Sequence, residues 1–249
     1  MNTRRRSSSS FAFVRNFLTV TALTLLAAWT LSSQAKAQAA PSGVPSYPVG
    51  GVSVAVPVPP GMGMVEVGDY RVKYEVVTPD SNRLVAAFVS ESDVAKLRNG
   101  GTGGINPYAL VEVLRAAEFS DLSASDFKSL VDSASNQIGA VIDSTYKETE
   151  AEFNKRMKAL NQNTQETLGQ PVMLGTFFYK TDAYSFGMLA PVTVNGTTIK
   201  MVVGTVLLRA RNRVLFAYFY EVYKDDQTPA QVRAVSEQWT DAILAANAQ

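Results

Sequence analysis

The periodicity of apolar and polar positions changes along this chain, and it is clearest in the C-terminal third. Four apolar runs follow one another there, at Val172 to Lys180, Tyr184 to Val194, Thr198 to Arg209 and Arg213 to Lys224. Asn195-Gly196 separates the second run from the third, and this dipeptide between apolar runs is a strong signal for a two-residue hairpin turn. Arg211-Asn212 marks a second tight turn. Because sequential strands joined by tight turns pair antiparallel, we predict a four-strand antiparallel meander.

The last of these runs is apolar on both sides. One side of the strand would carry Val214, Phe216, Tyr218, Tyr220 and Val222, and the other Leu215, Ala217, Phe219 and Tyr223. A sheet with one face in water would alternate apolar with polar residues instead. We therefore predict an α+β fold, a mainly antiparallel sheet of about six to seven strands with helices on both faces, which is a three-layer sandwich.

Two amphipathic helices are predicted to cover that sheet. The first begins near Ser123 or Ser125, either of which can cap it, and its apolar residues recur at helical spacing from Phe127 to Leu160. The second begins at Thr228-Pro229, with proline at the first helical position, and repeats the apolar spacing through Trp239.

The stretch before the long helix is less regular. Alternation predicts strands at Tyr70 to Val76 and at Arg83 to Val89, followed by a short capped helix from Ser90 to Leu97. Asn99 to Gly104 is interpreted as a flexible surface loop rather than a phosphate-binding loop, because no Lys-Ser/Thr follows it. Pro107 to Phe119 favours a strand, and a helix stays open as the alternative.

The first 39 residues have the three parts of a secretory signal peptide. Arginines at positions 4, 5, 6 and 15 precede an apolar run from Phe17 to Leu31, and small residues follow. We expect cleavage after Ala37 or Ala39 and a periplasmic or secreted protein. Since the apolar run is shorter than the roughly 20 residues of a spanning helix, membrane attachment is expected only if the signal stays as an uncleaved anchor.

Residues 40–63 are rich in proline and glycine and carry no charge. Such a stretch has few large side chains to bury, so we predict an extended, flexible arm. The arm would lead into a single α+β domain that spans residues 64–249.

Composition excludes several kinds of chemistry. The chain has no histidine and no cysteine, so it cannot form a Ser-His-Asp triad, a Cys-His pair or a metal site that needs His or Cys ligands. We predict no cofactor and no metal. Loss of the signal peptide would leave a mildly acidic chain, which disfavours nucleic acid as a partner.

Two groups of residues are candidates for a site. Tyr179, Tyr184, Tyr218 and Tyr220 cluster on the predicted meander and could line an aromatic groove for a ligand, or they could fill the core.

Carboxylates form the second group. Glu148 and Glu152 share a helix face, and Asp225-Asp226 follows the last strand. Paired carboxylates can hydrolyse glycosides, but Arg156 on the same helix face favours a surface ion pair.

The end of the chain resembles the PsbP-like family. The resemblance lies in the strand Val214-Leu215-Phe216-Ala217-Tyr218-Phe219-Tyr220, in Tyr223-Lys224-Asp225 and in the helix around Trp239 and Ile243-Leu244, and the element order matches over about residues 64–247. That family includes the photosystem accessory protein PsbP and envelope proteins of the DcrB type. The resemblance implies an exported accessory or interaction domain without enzymatic activity, and it implies no site residues.

Three functions follow as hypotheses. The first is an exported, non-enzymatic accessory or interaction domain that binds a protein partner of the envelope. The alternatives are a small-ligand carrier that uses the aromatic groove, and a carboxylate-dependent hydrolase.

Overall fold

The computed structural model describes residues 43–65, 71, 74–75, 78–99, 107–160 and 166–248. Its strands are β1 (Ser46–Val49), β2 (Val52–Ala55), β3 (Met62–Met64), β4 (Asn82–Ser90), β5 (Tyr108–Leu114), β6 (Glu166–Leu168), β7 (Val172–Lys180), β8 (Ala183–Val194), β9 (Thr197–Ala210) and β10 (Arg213–Val222). The helices with at least three consecutive described residues are α1 (Glu91–Arg98), α2 (Ala124–Leu160) and α3 (Thr228–Asn247). The predicted signal peptide lies outside the described residues.

Strands β3 to β10 form one open antiparallel sheet of eight strands, slightly larger than predicted. The order is β3-β4-β5-β10-β9-β8-β6, and β7 pairs with β8 along the same edge as β6. The predicted meander is confirmed, with positive φ at both residues of each tight turn, Asn195-Gly196 and Arg211-Asn212. Two consecutive positive φ values match the twist of the paired strands, which is why these dipeptides make hairpins.

Both faces of the sheet are covered, as the apolar pattern predicts. On one face, Val214, Phe216, Tyr218 and Tyr220 of β10 lie in a core with Phe127 and Ile138 of α2. On the other face, Leu215, Ala217 and Phe219 lie in a core with Val232, Trp239 and Ile243 of α3. The α+β architecture with helices on both faces is therefore confirmed.

The two covering helices begin close to where the sequence predicts. Ser123 Oγ accepts a hydrogen bond from the backbone N–H of Asp126 at 3.1 Å and donates one to its carboxylate at 2.7 Å, which satisfies the first turn of α2. Gly204 of β9 lets α3 approach closely, because a Cβ there would lie 3.0 Å from Val232 Cγ1 and overlap Ser236 Oγ. No helix within the described ranges is long and apolar enough to cross a membrane.

The region before β4 differs from its prediction. Arg71, Tyr74 and Glu75, the described residues of the predicted strand at 70–76, are helical. The alternation of this stretch also allows one helical turn, which is closed by an ion pair of 2.9 Å between Arg71 and Glu75. For residues 107–119 the strand is correct over Tyr108–Leu114, where β5 pairs with both β4 and β10, and residues 115–119 form turns, so the helical alternative is wrong.

Residues 43–63 do not form the extended tether that the sequence predicts. β1 and β2 pair as a hairpin around Gly50-Gly51, where φ is 54° and 82°. Val49, Val54 and Val56 are fully buried in the core on the α3 side of the sheet. Short apolar side chains can thus be buried where an existing core provides a surface for them. The stabilisation from this burial outweighs the tendency of a proline- and glycine-rich stretch to stay extended.

Directional hydrogen bonds hold this hairpin on α3. Trp239 Nε1 donates to Pro57 O at 2.7 Å. The Asn247 side chain accepts from Ala55 N at 2.9 Å and donates to Ala55 O at 2.7 Å, so it pairs with β2 as a neighbouring strand would. At the turn, Arg213 donates to Gly50 O at 2.9 Å.

The two glycines of the hairpin turn make a matched test of this docking. A Cβ at Gly50 would overlap the carbonyl oxygen of Glu118 and lie 2.6 Å from Arg213 Nε, whereas a Cβ at Gly51 meets nothing within 4 Å. We expect Gly51→Ala to lower the free energy of unfolding by about 1 kcal/mol, the cost of positive φ alone. Gly50→Ala should cost about 2 kcal/mol more because the turn must move away. Urea denaturation of both variants measures the difference, and equal losses would contradict the docked hairpin.

Candidate functional site

The four predicted tyrosines do not form one open groove. Tyr179 is 53% exposed on β7, while Tyr184, Tyr218 and Tyr220 are at most 2% exposed. Tyr179 and Tyr184 are ring neighbours, with centroids 6.3 Å apart, and Tyr218 and Tyr220 form a second pair at 6.1 Å. The structure therefore places three of the four in the core under α2, as the alternative interpretation of these aromatic residues expects.

A buried row of tyrosines runs instead from β10 to the start of β5 and on to Tyr74. Tyr220 stacks on Tyr108 with centroids 4.3 Å apart, and Tyr108 meets Tyr74 at 5.8 Å. Burial raises the pKa of all three hydroxyls above the usual value. Beside this row on β5 lies a carboxyl group, Glu112, that sequence analysis missed.

Glu112 is completely buried in the middle of the sheet. It lies opposite Phe216 on β10 and Leu84 on β4, so its side chain enters the apolar layer under α2. Its hydrogen-bond partners are neutral: Asn82 Nδ2 lies 2.8 Å from Oε2 and Thr78 Oγ1 lies 3.4 Å from Oε1. Loss of water raises the pKa of Glu112 from 4.5 to about 8, against the smaller opposing effect of these two hydrogen bonds.

The hydrogen-bond network accommodates a protonated Glu112. The hydroxyl of Thr78 donates to Tyr74 O at 2.7 Å, so its oxygen is left to accept. A proton on Glu112 Oε1 can then be donated to Thr78 while Oε2 accepts from Asn82. The neutral acid is thus satisfied on both oxygens, which is the state that a buried position without a cationic partner favours.

An open cleft lies on the other side of Thr78 and Asn82. Its volume is about 610 Å³. We call it the arginine cleft, and its lining residues are Arg71, Glu75, Thr78, Pro79, Asp80, Asn82, Arg83, Leu84 and Arg115.

Two of the three lining arginines are already used within the protein. Arg83 forms an ion pair with Glu118, whose pKa is lowered chiefly by this hydrogen bond. Arg71 pairs with Glu75 and donates to the carbonyls of Leu84 and Val85 at 3.3 and 3.4 Å, beside the bulge in β4. These contacts hold the walls of the cleft.

Arg115 is the lining arginine that forms no ion pair among the described residues. Its Nε donates to Asn82 O at 2.8 Å, which fixes the guanidinium group at the cleft. The side chain is exposed and lines the cleft, and no described carboxylate forms an ion pair with it, although its charge is one of the causes of the lowered pKa of Glu118. Its two terminal nitrogens are therefore a positioned pair of donors facing solvent.

A second opening lies at the same end of the sheet. It has a volume of about 520 Å³ between the β9–β10 turn and the end of α3. Arg209 in its wall is paired with Asp182 at 2.7 Å, and Arg211 projects from the turn with no ion pair among the described residues. β4, β8 and β10 all begin at this end, so both openings lie at the same end of the sheet, although they share no lining residue.

The carboxylates considered for hydrolysis are not brought together. Glu152 pairs with Arg156 at 2.9 Å, as the surface interpretation expects, and Glu148 is exposed. Asp225 accepts from Gln227 N and Asp226 from the Tyr223 hydroxyl, so both belong to the turn before α3. No cluster of three potential metal ligands occurs in the described part of the chain. Of the glycine-rich loop at 99–104, only Asn99 lies within the described residues.

Comparisons with known proteins give limited information. No protein-family model matches the chain, and no curated protein matches it. Two similar solved structures are a mutant of the protein Mog1, at a TM-score of 0.32, and the Saccharomyces cerevisiae Ran-binding protein Mog1p, at 0.30. Both are 15% identical, and each match covers 82% of this chain and 94% of the Mog1 chain. Likeness at this level does not carry a function or a partner to this chain.

These comparisons correct two predictions. The similar structures are Mog1 chains rather than PsbP-like proteins, so the predicted PsbP-like membership is wrong. The predicted periplasmic or secreted localisation finds no support in these structures, one of which is a Ran-binding protein. The family prediction failed because apolar periodicity and element order specify layers of packing and are shared by unrelated families. The localisation prediction came instead from the first 39 residues, which lie outside the described residues.

The raised pKa of Glu112 predicts how stability depends on pH. Between about pH 4.5 and pH 8 the unfolded chain releases this proton and the folded chain keeps it, so this group lowers the free energy of unfolding as pH rises. Glu112→Gln keeps the shape of the neutral acid without the ionisation. We expect the variant to gain about 1.4 kcal/mol on the wild type per pH unit across this window. Denaturation series at pH 5, 6, 7 and 8, about one unit apart, measure the gain, and a constant difference would contradict a neutral Glu112.

Proposed function

We propose that this chain is a non-enzymatic interaction domain that binds an acidic segment of a protein partner at the arginine cleft. The observation that supports this most directly is Arg115, which is held by Nε and forms no ion pair with a described carboxylate, although its charge contributes to lowering the pKa of Glu118. An isolated guanidinium on a folded surface is ordinarily mobile, and ordering it on binding costs conformational entropy. Here the hydrogen bond to Asn82 O has already fixed it.

The chemistry of the cleft favours a carboxylate as ligand. A guanidinium offers parallel N–H donors whose spacing matches the two oxygens of a carboxylate, and such paired hydrogen bonds are among the stronger ones in proteins. A volume of about 610 Å³ accommodates a few side chains of an extended segment. The neutral floor of Thr78 and Asn82 adds hydrogen-bonding groups without adding negative charge.

Arg211 gives the proposed surface a second contact point. Arg115 follows the end of β5 and Arg211 follows the end of β9, and β10 lies between these strands. Two strand spacings correspond to about 10 Å. A segment with acidic residues several positions apart would reach both arginines, which favours a peptide-sized ligand over a single small anion.

The alternatives have less support. An aromatic-groove carrier requires open tyrosines, and three of the four lie in the core. A hydrolase requires two carboxylates at one cavity, and the four considered are separated and engaged in local contacts or exposed to solvent. The lack of histidine and cysteine further narrows the nucleophiles and bases that a catalytic site could use.

Binding of an acetylated peptide of six glutamates tests the proposal. We expect Arg115→Ala to weaken binding about tenfold, because the variant loses the fixed pair of donors. Arg233→Ala is the matched control, since it removes the same charge from an exposed position of α3 outside the cleft. Isothermal titration calorimetry at low salt measures both affinities, and the free energy of unfolding of each variant shows whether the fold is intact.

Two results would overturn the proposed function. One is a wild-type dissociation constant weaker than about 1 mM at low salt. The other is an equal loss of affinity in Arg115→Ala and Arg233→Ala, which would indicate general attraction by net charge instead of a site.

A further inference from the structure

The buried carboxyl of Glu112 lies directly behind the floor of the arginine cleft. Thr78 and Asn82 line the cleft on one side, and on the other side they contact Oε1 and Oε2 of Glu112. One layer of neutral side chains therefore separates a ligand in the cleft from this carboxyl. Because Glu112 and the floor residues Thr78 and Asn82 are buried, the effective dielectric across that layer is lower than that of bulk solvent, which strengthens the interaction between the two charges.

The surroundings of Glu112 leave its charge without compensation. Tyr108 on its own strand and Tyr220 on β10 interact with it electrostatically, and Tyr74 lies beside Tyr108. From α2, the nearest charged group of the described network is Arg156, which donates to Thr78 O at 3.0 Å and pairs with Asp80 and Glu152. Arg115 reaches Asn82 from the end of β5. None of these cations contacts Glu112, so its ionised form has only neutral hydrogen-bond donors.

The composition makes this carboxyl unusual in the chain. Histidine and cysteine are the side chains that ordinarily change charge near neutral pH, and the sequence contains neither. Burial brings the pKa of Glu112 to about 8, inside that range. The folded protein thus has a titrating side chain near neutrality despite the lack of the usual ones.

From this placement we propose that the arginine cleft binds its acidic ligand in a proton-dependent manner, with Glu112 as the group that holds the proton in the bound state. This inference rests on the proposed function, because it assumes that the cleft is the binding site. Carboxylates of a bound segment and an ionised Glu112 would repel each other across Thr78 and Asn82. Binding of the acidic segment and protonation of Glu112 therefore favour each other. By linkage, protonation raises the binding constant by the same factor by which binding raises the protonation constant.

The sign of the effect follows from the charges. The acidic peptide is fully ionised from pH 6.5 upwards and the arginines stay protonated, so neither changes across the range. Ionisation of Glu112 adds one negative charge behind the cleft. We therefore expect affinity to be constant at low pH and to fall about threefold to tenfold as pH rises from about 6.5 to 9.5, which corresponds to a coupling of one charge pair at intermediate dielectric.

Two measurements with the intact chain test this. The first is the dissociation constant of the six-glutamate peptide at about pH 6.5, 7.5, 8.5 and 9.5. The second is proton uptake on binding near pH 8, obtained from calorimetry in two buffers of different ionisation enthalpy. We expect the wild type to lose affinity with rising pH and to take up protons near pH 8.

Glu112→Gln and Glu221→Gln are the informative variants. Gln at 112 can donate to Thr78 and accept from Asn82 as the neutral acid does, so we expect it to fold, to keep its affinity at high pH and to take up no proton. Glu221 is a half-buried carboxylate paired with Lys224, and Glu221→Gln should retain the wild-type pH dependence. The chain's α-amino group, which also titrates near pH 8, is present in every variant and cancels in the comparison.

The outcomes separate this inference from the proposed function. A wild type that binds the peptide with the same affinity at pH 6.5 and 9.5 and takes up no proton would overturn the inference and leave the proposed function standing. Equal pH dependence in the wild type and Glu112→Gln would also overturn it. A wild type without measurable binding at any pH would contradict the proposed function. If Glu112→Gln does not fold, Glu112→Leu, which also removes the ionisation, takes its place in the same comparison with the wild type.

Discussion

The central strands of this sheet are apolar on both sides, and the rest of the structure depends on that constraint. Residues 213–220 of β10 are all buried, and β9 is buried over most of its length. Such strands gain their stabilisation only if both faces are removed from water, at roughly 25 cal/mol for each Å² of apolar surface. α2 covers one face, but α3 has only 20 residues and lies mainly over β9 and β10 on the other, where it meets β4 through the ring contact between Trp239 and Phe88. The β1–β2 hairpin completes that layer.

Burial on the α2 side has a different consequence, because that layer contains polar groups. Tyr108, Tyr218 and Tyr220 put hydroxyls into it, and Glu112 puts in a carboxyl. A buried carboxylate without a cation is costly, whereas the neutral acid with two hydrogen bonds is tolerated. The same feature that covers the sheet therefore sets the protonation of Glu112, and the floor of the arginine cleft transmits its charge state to the surface.

Sequence patterns predicted the parts of this fold in which one periodicity dominates. The meander, both covering helices and the two-sided burial of β10 follow from repeated apolar spacing and from Asn195-Gly196. The hairpin was missed because proline content was weighed above the Val-Gly-Gly-Val sequence, which is itself a hairpin signal. Glu112 was detectable as the one charged residue in the apolar strand Tyr108–Leu114. The cleft was not detectable, since Asn82, Arg83 and Arg115 meet only through the pairing of β4 with β5, and Arg71 reaches them from the helical turn before β4. The family was mistaken because packing patterns are shared by unrelated families, whereas the localisation prediction rested on the composition of the first 39 residues and not on packing.

A leucine at position 112 would pack in this layer without any cost of desolvation, so stability alone does not explain a glutamate there. Buried ionisable groups with a raised pKa occur preferentially where a protein uses a charge change. At this position the charge change would be felt at only one surface, since the tyrosine row and α2 enclose Glu112 on its other sides and the cleft lies behind Thr78 and Asn82. The stability given up in the core is thus best understood as the condition for a cleft whose attraction for acidic groups depends on pH.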